Sequence, residues 1–412
     1  MIIKTANGYY SPSFFNITIE SDENIQNIIS NNDQTFIHEY IHFLQDLILP
    51  YCIRHNMTQI NQLGCMCEYV GSHNKILRPF QEWDDECQIT NKQMDYTWGD
   101  YKFVDKINSI SNIEKDFFTI PSGPRVFRYF IFFDEKRYQV GARDMLEYIS
   151  HKIEYKHWET NTHDFPYRTV DKLFEYYGLI YVPVEVRLCI VEYCLYNDNP
   201  MHLLINNFIE SGLIGNNKSI FKSYPDSKEF LLEHGWLSVG GFKENIFSKT
   251  KRRLNDFNQG LINLYKHPQY SEIRKWVNLV SEYIDKKLSN RLILSEFYTM
   301  SYEQLIKSIN EIIKDIGIPL VFNKKKKCIS MLPVEFKPQP FTQFYVMSHF
   351  LQFMSTSDNE CPLVDFCNEN FEMKSQDKCH TSPLLFVKEK QLCPLALFMY
   401  SYGFGNVNFD KE

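Results

Sequence analysis

The sequence predicts an α+β protein: a small mixed sheet and a histidine-bearing helix near the start, a mainly helical middle, and a cysteine-containing α+β region at the end. Three observations carry this. Phe14–Glu20 and Arg125–Phe133 have the alternation and the β-branched or aromatic content of strands. Residues 166–316 repeat apolar side chains at helical spacing, broken by Gly and Pro. Beyond residue 317, short apolar runs alternate with turns and cysteines. The expected division is 1–165, 166–316 and 317–412.

Phe14-Phe15-Asn16-Ile17-Thr18-Ile19-Glu20 is the first expected strand. It leads to a helix over Thr35–Asp46, with Asn32 or Asp33 as its cap and Pro50 marking its end. Phe36, Ile37, Tyr40, Ile41 and Leu44 give this helix a broad apolar side. His55, Cys65, Cys67, Glu68, His73 and Cys87 follow. Cys65-x-Cys67 is closer than the usual paired zinc spacing, so these residues read as ordinary core or loop positions. Residues 81–116 are polar and acidic and read as loops with an irregular connection. The Arg125–Phe133 strand turns at Asp134-Glu135-Lys136 into Arg137–Val140, a hairpin. Gly141 then opens a helix over Ala142–Glu154. Ala142, Met145, Leu146, Ile149 and Ile153 share one side of it, and Glu147, His151 and Glu154 the other. A polar stripe of that kind is ordinarily a solvated face.

In the middle region, helices are expected over Val170–Tyr177, Pro183–Tyr196, His202–Glu210, Asn255–Tyr265, Ser271–Leu288 and Tyr302–Ile316, with Gly240-Gly241 as a joint. None carries a catalytic spacing. Pro319–Phe322 and Ile329–Leu332 flank Asn323-Lys324-Lys325-Lys326-Lys327, which reads as a charged hairpin tip. No aromatic interleaving supports a nucleic-acid patch there. A helix follows over Phe341–Met354. Cys361, Cys367, Cys379 and Cys393 then form a set suited to a structural zinc, against the simpler reading of buried free thiols.

Composition narrows the class. A hydrophobic content of 44% suits a sizeable core, and a formal charge of -7 gives no electrostatic case for nucleic acid or an anionic membrane. Eleven Cys, an odd number, and no apolar leader after Met1 favour a reduced cytoplasmic protein over a disulfide framework. No apolar run is long enough to span a bilayer.

His38-Glu39-Tyr40-Ile41-His42 spells H-E-x-x-H inside the first helix. Residues i and i+4 share a helical face, so both imidazoles can reach one metal ion, and zinc accepts such nitrogens readily. Glu39 stands beside the first ligand, where it can take a proton from water. Asp46, one turn past His42, is expected to accept the second ring proton of that histidine. A catalytic zinc needs a third protein ligand. The position six residues after His42 is Ile48, which rules out a third His there. A Glu from another helix is the remaining common solution, and Glu147 is the choice. His151, Glu154, Glu68 and His73 are its competitors. His151 and Glu154 otherwise serve to steady the site or contact substrate.

Thr35–Leu44 resembles the extended motif helix of the zincin metallopeptidases, and Glu147-x-x-x-His151 resembles the second helix of their gluzincin group. The two helices are a small part of the chain, the separation from His42 to Glu147 is long, and His151 stands where that group often has Asp. The combination also resembles uncharacterised bacterial proteins bearing H-E-x-x-H. The resemblance implies a zincin-like catalytic region within 1–165 and hydrolysis of peptide bonds in a protein or peptide substrate. Zn2+ would be held by His38, His42 and Glu147, water activated by the metal would attack, and Glu39 would be the general base. The helical and Cys-bearing regions would then wall the cleft, select the substrate or meet a regulatory partner. The alternative is a non-catalytic interaction protein whose zinc is structural.

Overall fold

The strand Asn16–Ile19 (β3) joins parts of the chain that are three hundred residues apart. On one side it pairs antiparallel with β2 (Gly8–Ser11), which pairs in turn with β1 (Ile3–Lys4). On its other side it pairs parallel with the strand Ile318–Phe322, and Cys328–Met331 completes the five-stranded sheet. The computed structural model describes residues 3–4, 8–30, 34–121, 123–158, 163–239, 242–288, 290–372, 375–388 and 393–411. The expected caps Asn32 and Asp33 and the expected joint Gly240-Gly241 lie outside them. The lysine-tipped hairpin forms as expected. It also supplies an inner strand to the N-terminal sheet, so a boundary at residue 317 cuts through that sheet. Lys326 ties the tip down by donating to the Tyr9 hydroxyl at 2.7 Å.

After α1 (Ile25–Ser30), the motif helix α2 (Gln34–Ile48) packs against β2 and β3. Phe36, Ile37, Ile41, Phe43, Leu44 and Leu47 are all buried. Each such side chain contributes about 1.5–3 kcal/mol on burial, which helps offset the cost of enclosing polar groups on the same helix. Proline steers Leu49, the residue before Pro50, into an extended conformation (φ -91, ψ 123), and the helix stops. Pro50 itself opens a new helix, α3 (Pro50–Ser72), where its missing N–H costs nothing. The sequence reading left this 23-residue helix unassigned.

Beyond β4 (Lys75–Arg78), the stretch read as loops holds two regular elements. Helix α4 (Asp85–Trp98) is capped by Asp84, whose carboxylate accepts the Cys87 amide at 2.7 Å. Strand β5 (Asn112–Thr119) pairs along its length with β6 (Arg125–Phe133). Most of its exposed side chains are polar, with Phe117 the exception, which hid the strand pattern. The expected hairpin continues into β7 (Lys136–Val140), with Asp134 and Glu135 at positive φ in the turn.

Helix α5 (Ala142–Tyr155) starts where two backbones touch. A Cβ on Gly141 would lie 2.4 Å from the Gly99 nitrogen, so this junction admits no side chain. Asp144 accepts the Gly141 amide at 2.9 Å, together with the hydroxyls of Tyr138 and Thr169. Helix α5 is enclosed by α2, by α6 (Thr169–Tyr176) and by α7 (Val184–Cys194). Its expected solvated face is therefore buried: Glu147 is 0% and His151 3% exposed.

The rest of the middle is mainly helical: Tyr302–Ile316 and Ser271–Tyr283, the latter continued by a π-helical turn over Ile284–Leu288, keep their expected ends, the helix expected from Asn255 starts earlier as Ile246–Leu264, and Trp236–Val239 pairs with Phe242–Asn245 in a hairpin. The helix expected to begin at His202 opens at Pro200 and becomes π-helical over Leu203–Glu210. Helices Tyr224–Glu233 and Ile293–Thr299 were not foreseen. Thr342–Met354 matches the next expected helix, and the chain closes with Asn408–Lys411 parallel to β4. Among the described residues, no helix is long and apolar enough to cross a membrane.

Candidate metal centre

Two helices bring three ligand atoms to one point. His38 Nε2 and His42 Nε2 are 3.1 Å apart, and Glu147 Oε2 lies 3.3 Å from the first and 3.4 Å from the second. A tetrahedral zinc with arms of about 2.0–2.1 Å has ligand edges of about 3.3–3.4 Å, so the triangle matches one face of that tetrahedron. The match comes from the packing of α2 on α5. At the same level Gln45 of α2 donates to Leu146 O at 3.0 Å and to Ser150 Oγ at 3.3 Å, fixing the register of the two helices.

The other ring nitrogens fix the tautomers. His38 Nδ1 lies 2.7 Å from Glu154 Oε2, an acceptor only. His42 Nδ1 lies 2.7 Å from Gln45 Oε1, an acceptor because the amide nitrogen of Gln45 is committed to α5. In the neutral rings both Nδ1 atoms therefore carry the proton, which leaves both Nε2 atoms to bind a metal. These converge with a carboxylate oxygen in a fully buried space. With both rings neutral, three acceptors would repel one another; a proton on His38 relieves part of this, and a divalent cation relieves all three at once. Oε1 of Glu147 also has no hydrogen-bond partner among the described residues. The donor set fits zinc.

Without a cation, the surrounding carboxylates favour a second proton on His38, which zinc would displace from Nε2. For Glu147, burial pushes the carboxyl up, but the hydrogen bonds and charges of His38 and His42 outweigh it and hold it well below the carboxylate range. For His38, burial lowers the pKa, and the surrounding carboxylates, Glu154 foremost, raise it well above the ordinary value. His42 is lowered, chiefly by burial. Glu39, on α2 between the two histidines, is fully buried. A Cβ on Gly8 would come within 3.2 Å of Glu39 Oε1 and 2.9 Å of the Thr18 carbonyl, so β2 begins with a residue that leaves room beside the carboxylate.

The other expected residues divide. Glu154 enters the site through His38 and also accepts from Gln34. Asp46 does not meet His42, contrary to expectation. It accepts the Tyr10 hydroxyl at 2.7 Å and the Ser13 amide at 2.8 Å, locking α2 to the β2–β3 turn, and Gln45 takes its place at the imidazole. His151 stacks near Tyr167, with ring centroids 5.0 Å apart, and neither of its nitrogens has a hydrogen-bond partner among the described residues. Burial holds it down at about 4, a neutral imidazole at neutral pH. Glu68 and His73 are exposed on or just beyond α3 and take no part.

Two features escaped the sequence reading. Tyr167 lies beside His38, with ring centroids 6.3 Å apart. Burial, then the charges of Glu147, Glu39 and Glu154, push its phenol far up, so it remains a proton donor. No spacing in the sequence links it to the motif. The second is a group formed by Cys65, Asp84 and Cys87, whose ligand atoms all lie within 4.8 Å of one another. It was read as ordinary core and loop. Its signal was the Asp84 cap, which places Cys87 one turn into α4, facing α3. Cys361, Cys367, Cys379 and Cys393 are free thiols, and among the described residues they do not come together as closely as that group.

The arrangement is a zinc-binding triad, His38, His42 and Glu147, with Glu39 as the adjacent base, consistent with a gluzincin-type H-E-x-x-H metallopeptidase site on a mixed α+β fold. Comparison with protein-family models, curated proteins and solved structures finds no match for this chain.

Proposed function

We propose that this protein is a cytoplasmic zinc endopeptidase that cleaves peptide bonds in a protein or peptide substrate. One observation carries the reading: two imidazole nitrogens and a carboxylate oxygen meet in a buried triangle of zinc dimensions, with a glutamate next to the first histidine. When bound there, zinc would supply Lewis-acid polarisation and lower the pKa of water. Glu39 takes the proton of the attacking water and passes it to the leaving amine. Tyr167, kept protonated, donates to the oxyanion as the carbonyl carbon becomes tetrahedral. His151, neutral and unbonded, orients the substrate from the adjacent turn of α5. Residues 166–316 and the Cys-bearing segment serve substrate selection or contact with a regulatory partner. The eleven free thiols support a reducing compartment.

The test is Glu39→Gln. The variant should bind zinc with the wild-type stoichiometry and lose about 10²–10⁴-fold in peptide hydrolysis. Full turnover by the zinc-loaded variant would remove Glu39 from the mechanism. A wild-type protein with four protein ligands on the zinc and no hydrolysis would instead be the non-catalytic interaction protein.

A further inference from the structure

Helices α3 and α4 lie antiparallel, and three side-chain meetings mark their register. Where α3 leaves α2, the Tyr51 hydroxyl meets Thr97 Oγ1 at 2.9 Å. Further along, Gln62 Nε2 donates to Asn91 Oδ1 at 2.7 Å. At the far end stand Cys65 of α3, Cys87 of α4 and Asp84, the cap of α4, with their ligand atoms all within 4.8 Å of one another.

Two of these three are neighbours by local geometry. Asp84 and Cys87 are the cap and the third residue of one helix, positions whose side chain and backbone face each other. Asp84-x-x-Cys87 has the interval of a C-x-x-C zinc half-site with a carboxylate as its first ligand. The carboxylate accepts the Cys87 amide at 2.7 Å and still has lone pairs for a cation. Cys65 arrives from a different helix, through the packing of α3 on α4. Its sulfur is directed to the turn before the cap, 3.6 Å from the Glu82 carbonyl oxygen.

The dimensions and the layering suit a metal. Zinc–sulfur arms of about 2.3 Å give tetrahedral edges of about 3.8 Å, so the ligand atoms need to close by about 1 Å at most. Cys87 is 2% and Cys65 9% exposed, whereas Asp84 is open to solvent. Two sulfurs form the floor, the carboxylate forms the rim, and the fourth position faces water. Both thiols are free of disulfides. Burial, then Asp84, pushes the Cys87 thiol up to about 12, and burial raises Cys65 as well. The Cys87 amide holds the Asp84 carboxyl below its ordinary range, with smaller help from the two thiols. Protons thus hold the group together until a cation replaces them.

We propose that Cys65, Cys87 and Asp84 bind a zinc ion, with water as the fourth ligand, separate from the catalytic triad. Sulfur ligands favour zinc over magnesium or calcium. Binding releases one proton from each thiol to solvent and moves no electrons. The role is structural. Helix α3 follows directly on α2 through Leu49 and Pro50, and α4 ends at Gly99, against Gly141 at the start of α5. The ion clamps the far ends of the two helices whose near ends adjoin the triad helices.

The experiment loads the full-length protein with cobalt and does not depend on hydrolysis. The triad contains no sulfur, so a thiolate-to-cobalt charge-transfer band reports the thiol site alone. The wild type should bind two ions per chain and show the band. Cys65→Ser/Cys87→Ser should bind one ion and lose the band. In Asp84→Asn the cap survives, because Asn caps as well as Asp, so the Tm of the metal-free protein should not move. Cobalt should nevertheless bind its thiols at least about 10-fold more weakly. This variant decides the matter even if the cysteine pair fails to fold. One ion per chain accompanied by the band supports this site and counts against the triad. Absence of the band from the wild type, its survival in Cys65→Ser/Cys87→Ser, or equal cobalt affinity in Asp84→Asn overturns the proposal.

Discussion

Nδ1 of His38 lies 2.7 Å from Oε2 of Glu154, a residue seven positions after Glu147 on the same helix. One helix therefore supplies both a metal ligand and the carboxylate that aims another ligand. Such outer partners fix ring orientation and raise the basicity of the ligating nitrogen. Glu154→Ala should weaken zinc binding by about 10–100-fold, read by competition with a chromophoric chelator. Glu154→Gln, which keeps an acceptor, should lose less. Equal zinc affinity in the alanine variant and the wild type would show that Glu154 does not position His38.

Removing the metal takes away the cation that joins His38, His42 and Glu147. Zinc held at about 1,000 times its Kd stabilises the folded state by about 4 kcal/mol, so a chelator should lower Tm clearly. The drop should shrink in Glu147→Ala, where there is less bound metal to lose. Differential scanning fluorimetry with and without chelator reads both.

Tyr167→Phe removes only a hydroxyl from the wall of the site. If that hydroxyl meets the oxyanion, kcat should fall by about 10²–10³ with zinc content unchanged. KM should hardly move, because the contact forms as charge develops. A variant with wild-type kcat would assign the oxyanion to another donor, with His151 next to be tested.

Burial raises the Asp46 carboxyl to about 7, against the hydrogen bonds from Tyr10 and Ser13 that favour its ionised form. The sign follows from proton counting. Between the unfolded value of 3.8 and about 7, the native state keeps a proton that the unfolded state has released, so stability falls as pH rises through this window. The full span corresponds to an order of magnitude of about 4 kcal/mol. Asp46→Asn imitates the protonated acid, so urea denaturation of the metal-free variant should show a flatter profile from pH 4 to 7. An unchanged slope would show that Asp46 titrates normally.

Several elements were legible because their signals are local. The H-E-x-x-H spacing, the strand Arg125–Phe133, its turn at Asp134 and Glu135, and the helix opened by Gly141 depend on neighbours a few residues away, and each formed as expected. The stretch 81–116 lacks a strand signal because β5 faces outward over most of its length, and its side-chain partners, Arg128 for Asp116 and Phe127 for Phe117, stand on the neighbouring strand. Pro50 read as an end and is also a beginning, since the same ring suits the residue after one helix and the first residue of the next. The glutamate helix looked solvated because one amphipathic pattern describes both a surface helix and one whose polar face meets another buried polar face.

The partners of the two histidines show the same limit more sharply. Spacing alone favoured Asp46 for His42, yet the strand turn at Ser13 claimed Asp46, and Gln45 stood in. By itself the sequence determined the chemistry available: two imidazoles one helical turn apart, a glutamate beside the first, and a second helix carrying Glu147, His151 and Glu154. Only the tertiary structure decided that Glu147 completes the triangle, that Glu154 aims His38, and that Tyr167 stands beside it. Local spacing fixes which side chains share a face of one element. Contacts between residues a hundred positions apart depend on how α2, α5 and the enclosing sheet pack, and no local pattern encodes that.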